Sequence, residues 1–382
     1  MSTTTLGARG AALDQAIAAV IAPQAAEVDA EGRFPREGIN ALREAGILGL
    51  VSASEVGGAG EGLDAAAHVV ESLARACGST AMVVMMHYAA VAVLEAYGPE
   101  DVREAIARGE HLTTLALSEY GSRSHFWTPM SVASRQNGQV GLEARKSWVT
   151  SAGEADSYLW SSRPLDAAGP MTLWLVPADT GGLRVGPPFD GLGLRGNAST
   201  SITGEDVAVS ESARLGEDGA GLDIALQIIV PWFLILNAAV SIGTMEAVTA
   251  EALTHLQSTR LEHLGISLAE QPVTRLEFAR MRLSTDEARA LLSDTLAALE
   301  AGREDAQLRV LEIKAATAEK ALAVTDLALR ICGGAAFRKE LGVERRFRDS
   351  RAARVMAPTT EHLLDFIGRA LTGQPLFDEV KT

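Results

Sequence analysis

Residues 131–142 read Ser131-Val132-Ala133-Ser134-Arg135-Gln136-Asn137-Gly138-Gln139-Val140-Gly141-Leu142, two short runs hinged on Asn-Gly. A tight two-residue turn needs positive φ at both central positions, which Asn and Gly adopt most readily, so the stretch predicts a β-hairpin. It lies in a segment, from about 115 to 210, of short β-branched and aromatic runs cut by Gly and Pro, where Thr172–Val176 and Thr200–Thr203 predict further strands. Outside that segment the period changes. Upstream, Glu37–Ala45 (Ile39 and Leu42 on one face), Leu63–Cys77 and Thr80–Tyr97 predict helices. Downstream, from about 220 to 370, helical spacing returns in long stretches, one running from about Asp305 to Cys332 and stopping at Gly333-Gly334 like a glycine-capped helix end. The order helices, β-domain, helices predicts a mostly helical α+β chain divided at 1–114, 115–215 and 216–382.

Composition narrows the function classes. With 382 residues, 47% apolar and 22% charged, the chain has room for two or three substructures and a large core. A formal charge of −15 is poorly suited to neutralising phosphates, so no nucleic-acid partner is expected. Cys77 and Cys332 are the only cysteines, too few for a disulfide framework or a thiolate cage, which fits a reducing compartment. The start, MSTTTLGARGAALDQ, has no basic region followed by an apolar run, so the expected address is cytoplasmic. Ile224–Met245 carries no Asp, Glu, Lys or Arg, but Gln227, Pro231, Asn237, Ser241 and Thr244 interrupt it and no basic cluster flanks it. It predicts a helix buried on all sides, and no membrane partner.

Gly191-Leu192-Gly193-Leu194-Arg195-Gly196 matches G-x-G-x-x-G letter for letter. That fingerprint cradles a pyrophosphate only when a strand feeds it and a helix N-terminus follows. Here Asn197–Val209 reads as turn and strand, and strands do not alternate with helices, so a glycine-rich β-turn is expected instead of a doubly wound dinucleotide fold.

Several separated stretches together resemble the acyl-CoA dehydrogenase flavoprotein family across essentially the whole chain. They are Gly49-Leu50 through Glu55-Val56-Gly57-Gly58, Leu117-Ser118-Glu119 with Gly121-Ser122, Lys146-Ser147-Trp148-Val149-Thr150, Gly191 through Arg195, Gly333-Gly334, and Arg348-Asp349-Ser350-Arg351. The resemblance implies an N-terminal helical domain, a middle β-barrel or sandwich, a C-terminal four-helix bundle, a homodimer or homotetramer, and FAD between the β-domain and the bundle.

The residues themselves suit a flavin. The Trp148 indole offers a flat apolar face for the ring system, and strand alternation places Thr150 on the same face, its hydroxyl toward the ring edge. The competing reading makes Trp148 a core aromatic. By resemblance, Leu117 and Ser118 contact the pyrimidine side of the ring, with Ser in place of the usual Thr, and Gly121 and Ser122 approach the pyrophosphate. Arg260, Gly265, Arg330, Gly333 and Gly334 match positions that grip the adenine half of a neighbouring subunit's FAD, with Thr359 and Glu361 near the flavin. Arg330 and Glu361 stand where the family often has Gln, and the alternative for Arg260 is a solvated helix charge.

One departure bears on the chemistry. The family's carboxylate base takes the α-proton while hydride leaves the β-carbon for the flavin, so it must sit against the α-carbon. In Val355-Met356-Ala357-Pro358-Thr359-Thr360, Ala357 occupies that position, and the alternative location on the first long C-terminal helix falls at about Phe233, in the acid-free run Pro231-Trp232-Phe233-Leu234-Ile235. Alanine and phenylalanine accept no proton. Thr359 through Arg369 resembles the oxygenase-type members of the fold, such as dibenzothiophene monooxygenase, which lack the Glu and use reduced flavin to activate O2. Met85, Met86, Phe126, Trp232 and Phe233 are candidate walls of a dry pocket, or plain core. His87 stands where the oxygenase-type relatives face the flavin and is a candidate proton carrier, its alternative being a core histidine with satisfied nitrogens. His125 is a second candidate, and Ser118 completes the catalytic set. No HExxH-like spacing suggests a metal. The expected activity is O2-using oxidation of an acyl-CoA thioester or a small aromatic substrate. The alternatives are a dehydrogenase with a base relocated to Glu119 or Glu361, and a non-catalytic protein that binds an acyl thioester or flavin.

Overall fold

The computed structural model describes residues 6–377. Helices α1 (Ala8–Ala16) and α2 (Ala22–Glu31) flank a single π-helical turn, and α3 (Arg36–Glu44), α4 (Leu63–Ala76), α5 (Gly78–Tyr97) and α6 (Glu100–Ala107) follow. The all-round apolar sequence of α5 matches its place: nearly every residue from Gly78 to Leu94 is buried. Strands then run as β1 (Thr113–Ala116), β2 (Val132–Gln136), β3 (Gln139–Val149), β4 (Ser157–Ser162), β5 (Thr172–Pro177), β6 (Leu183–Val185), β7 (Thr200–Val209) and β8 (Arg214–Leu215). Sheet formation begins two residues before the expected boundary at 115, because β1 pairs in parallel with β4 from Thr113 onward.

Two four-stranded sheets, ordered β1-β4-β5-β8 and β2-β3-β7-β6, share one core in which Trp160, Trp174 and Val176 of the first join Val140, Leu142, Ile202 and Val207 of the second. This is a sandwich: inward-facing apolar residues from both layers bury one another. The hairpin joining β2 to β3 turns at Asn137 (φ 51°) and Gly138 (φ 81°), as Asn-Gly predicts. Gly191–Gly196 runs into a single 3-10 turn over Arg195–Asn197 and then into β7, so the next long element is a strand and not an α-helix. A Cβ at Gly196 would stand 2.3 Å from the Val28 side chain, so this glycine serves close packing against α2.

The remaining elements are α7 (Gly221–Ile224), α8 (Val230–Ser258), the short pair β9 (Arg260–Leu261) and β10 (Ile266–Ser267), α9 (Pro272–Glu300), α10 (Ala306–Cys332), α11 (Val343–Val355) and α12 (Thr360–Leu371). The helix is continuous from Gly221 to Ser258, α7 passing through a π-helical turn over Ala225–Ile229 into α8; Pro231 follows that turn, and its missing N–H removes one bond from the ladder where the spacing departs from α. The charge-free run expected to be an enclosed helix falls in Gly221–Ser258, whose most apolar window is 72% buried within the protein. Helix α10 ends at Gly333, which adopts φ 59°.

The chain divides into two compact units, Met1–Leu236 and Asn237–Thr382. In the second unit, α10 packs on α9, α11 and α12 through a helical stripe of Val310, Ile313, Lys314, Thr317, Ala321, Val324 and Ala328. A lysine in that stripe is unusual, since a buried ammonium needs hydrogen-bond acceptors around it.

Candidate active site

In the first unit, main-chain pairing brings Leu117–Tyr120 and Arg145–Ser147 together. Ser147 N–H donates to Ser118 O at 2.9 Å and Tyr120 N–H to Arg145 O at 3.0 Å, so Leu117–Tyr120 runs beside the end of β3. Inside this junction the Glu119 carboxylate accepts from Met130 N–H (2.5 Å), Ser131 N–H (2.9 Å), the Ser131 hydroxyl and the Lys146 ammonium. Lys146 Nζ also donates to Ser161 O at 2.6 Å and Ser161 Oγ at 3.0 Å, and lies 4.9 Å from the Trp160 ring centroid. Burial opposes ionisation of both groups. Lys146 and the other donors nevertheless hold Glu119 below the usual carboxylate range, whereas burial wins at Lys146 and lowers its pKa to about 8. A carboxylate committed to four donors is a poor base, which removes Glu119 as a relocated proton acceptor.

Trp148 is 70% exposed, while Trp160 and Trp174 are fully buried. Its ring meets Phe189 edge-on at 6.4 Å. The strand is not regular here. A register shift between Lys146 and Val149 forms a bulge, and Trp148 takes φ 56°, a conformation that bulky residues seldom adopt. The expected alternation that puts Trp148 and Thr150 on one face therefore fails: Trp148 points outward and Thr150 is 2% exposed. An exposed indole on a strained bulge, with Leu117 and Ser118 alongside, fits a planar ring system laid against this edge. Gly121 (φ 94°) has open space around its absent side chain, and Ser122 Oγ donates to Glu119 O at 3.3 Å.

The histidines divide. His87 is fully buried; its Nε2 donates to Leu48 O at 3.1 Å and its Nδ1 accepts Thr113 N–H at 3.2 Å. Burial lowers its pKa to about 4, so the imidazole is neutral with both nitrogens committed to main chain. This corrects the expectation of a proton carrier: His87 ties α5 to the loop at Leu48 and to β1. His125 is exposed, its Nδ1 donating to Ser122 O (2.9 Å) and Arg123 O (3.0 Å), and it packs edge-on to Trp127. Met85, Met86, Phe126 and Phe233 are buried and Trp232 is half-buried.

In the second unit Arg260 is exposed and donates to Gly265 O at 2.5 Å across the β9–β10 turn. Arg330 is exposed in the last turn of α10. Gly333 and Gly334 are exposed, and a Cβ on either would meet nothing within 4 Å, so among the described residues nothing demands a missing side chain at Gly334. Backbone bare to solvent suits the approach of another molecule. Thr359 caps α12, its hydroxyl accepting His362 N–H at 3.3 Å. Glu361 is exposed and paired with Arg354 at 3.1 Å; its own main-chain N–H at the helix start, then Arg354, lower its pKa, which makes it a weak proton acceptor.

Lys314 is the residue that sequence reasoning passed over, although a lysine on the apolar face of α10 was itself a signal. Fully buried, its Nζ donates to Met356 O at 2.8 Å and Pro358 O at 2.7 Å, the carbonyls on either side of Ala357. Burial, only partly opposed by Glu361, lowers its pKa to about 7. The Met356–Thr360 segment thus has a pinned main chain and no acidic side chain.

Three family models match in series: "Acyl-CoA dehydrogenase, N-terminal domain" over residues 10–109, "middle domain" over 114–207 and "C-terminal domain" over 219–372. The mitochondrial short-chain specific acyl-CoA dehydrogenase of Bos taurus is 28% identical over 347 residues, covering 89% of this chain and 83% of that protein. Among solved structures, butyryl-CoA dehydrogenase from Megasphaera elsdenii shares the fold with TM-score 0.89 and 23% identity, over 97% of this chain and 100% of that one. The prolyl acyl carrier protein oxidase AnaB shares it with TM-score 0.88 and 22% identity, over 97% and 99%. With helical, sheet and helical parts in that family's order and a flavin-competent edge at Trp148, the chain belongs to the acyl-CoA dehydrogenase family of FAD-dependent oxidoreductases.

Proposed function

We propose that this oxidoreductase uses O2 and acts on an acyl thioester without the family's carboxylate base. One observation carries the reading: the Met356–Thr360 segment, which the family pattern aligns with the base at Ala357, holds no acid, and Lys314 fixes the carbonyls on either side of Ala357. The other location known for the base falls at about Phe233 in the family pattern, and the two carboxylates open to relocation serve Lys146 and Arg354 instead. When bound, FAD supplies two-electron chemistry and, once reduced, reactivity toward O2. Leu117, Ser118 and Trp148 would hold its ring system; Gly121 and Ser122 would hold its pyrophosphate. Arg260, Arg330, Gly333, Gly334, Thr359 and Glu361 are assigned to FAD by the family pattern, in a homodimer or homotetramer. The uncharged run Ile224–Leu236 supports a dry site, which shields reactive species from water.

The test uses FAD-loaded protein reduced anaerobically with dithionite, cleared of excess reductant, mixed with a panel of acyl-CoA thioesters and opened to 18O2. Rapid flavin reoxidation with 18O in an acyl product is the expected result. Slow reoxidation with no label in any product would count against it.

A further inference from the structure

Asn237 lies four residues beyond Phe233 on α8 and is 1% exposed. Its Nδ2 donates to the Met356 sulfur at 3.6 Å, a weak acceptor in the residue before Ala357. Its Oδ1 is buried with no hydrogen-bond partner among the described residues. Exchanging the amide atoms would bring the oxygen against sulfur and leave the NH2 donors unpaired, so the assigned orientation is the better one. Ser241, one turn further along α8, and Thr360, at the other end of the Met356–Thr360 segment, also carry buried hydroxyls without partners among the described residues. Native interiors seldom keep such groups unpaired, and one held beside a site points to a ligand that completes it. Of the three, Asn237 is the one in contact with Met356, beside the position from which the carboxylate is missing.

We propose that Asn237 determines substrate specificity, its Oδ1 accepting a hydrogen bond from an N–H or O–H group on the acyl portion. The substrate class is then an acyl thioester carrying an amino or hydroxyl group near the thioester, in place of a plain saturated chain. The amide is uncharged and holds the donor without taking its proton. A site built around such a bond rejects the analogue lacking the donor, because the analogue leaves the acceptor unpaired. This inference rests on the thioester reading above.

The probes are butyryl-CoA, 2-hydroxybutyryl-CoA and 2-aminobutyryl-CoA, equal in chain length, titrated anaerobically into FAD-loaded protein with the flavin absorption band as readout. In the wild type at least one donor-bearing thioester is expected to bind tenfold or more tightly than butyryl-CoA. Asn237→Leu should abolish that preference while binding butyryl-CoA at least as well, and Asn237→Asp, which keeps an acceptor oxygen, should retain it. Equal affinities in the wild type, a measurement that needs no variant, overturn the inference, as does a preference that survives in Asn237→Leu. If no thioester perturbs a bound flavin, the thioester reading and this inference fall together; if all three perturb it equally, only this inference falls.

Discussion

Lys146 and Glu119 form an ion pair enclosed within the β-sandwich, joining the Leu117–Tyr120 segment to the strand that carries Trp148. Removing one partner leaves a buried charge without its counter-ion. Lys146→Met is expected to lower unfolding free energy by about 3–5 kcal/mol and weaken FAD retention. In the Glu119→Gln, Lys146→Met double variant the amide oxygen still accepts main-chain N–H groups, so its loss should be well below the sum of the single losses. Denaturant titration of the four proteins in the cycle checks this.

His87 gives stability a sign on the acid side. Its folded pKa of about 4 lies below the ordinary value of 6.5, so between these limits the unfolded chain binds more protons. Its contribution is complete above pH 6.5 and is lost as pH falls toward 4. His87→Gln should abolish this acid-side loss, amounting to a few kcal/mol, and leave FAD binding intact; urea melts at pH 4.5 and 7 supply the comparison.

Lys314 acts on the alkaline side. With a folded pKa of about 7 against an ordinary 10.5, it makes the unfolded chain the greater proton binder across that interval, so stability rises with pH. Lys146 adds the same sign from about 8. The wild type minus Lys314→Met difference isolates Lys314: it should increase from pH 7 to 10, and the variant should leave the Met356 and Pro358 carbonyls unpaired, which costs about 1–3 kcal/mol each at the upper end of the range.

Trp148 separates folding from cofactor binding. Because the indole is 70% exposed, Trp148→Ala should change stability by less than about 0.5 kcal/mol. FAD affinity should fall roughly tenfold or more, as expected when an aromatic stacking face is removed. Trp148→Gly, suited to φ 56°, should be at least as stable as Trp148→Ala and bind FAD equally poorly.

The order of elements was legible because each carried its own local signal: Asn137-Gly138 for the hairpin, Gly333 for the end of α10, and a predominantly apolar sequence for α5 and the first half of α8. Strand edges were less so, since β1 starts at Thr113 only because β4 lies alongside it. In the site, Trp148 was visible as an aromatic in a quoted motif, but the bulge that turns it outward depends on pairing with β7. His87 looked like chemistry because a histidine in an apolar run has two readings, and only the carbonyl of Leu48 and the N–H of Thr113 decide between them. Lys314 and its two carbonyls lie more than forty residues apart in sequence, beyond any local pattern.

The most direct measurement mixes FAD-loaded wild-type protein anaerobically with butyryl-CoA. On the proposed reading, which sets Ala357 in place of a carboxylate, the oxidised flavin band is expected to persist and no enoyl-CoA to form, whereas Ala357→Glu should bleach the band. Rapid bleaching of the wild type with stoichiometric enoyl-CoA would contradict a site without its base.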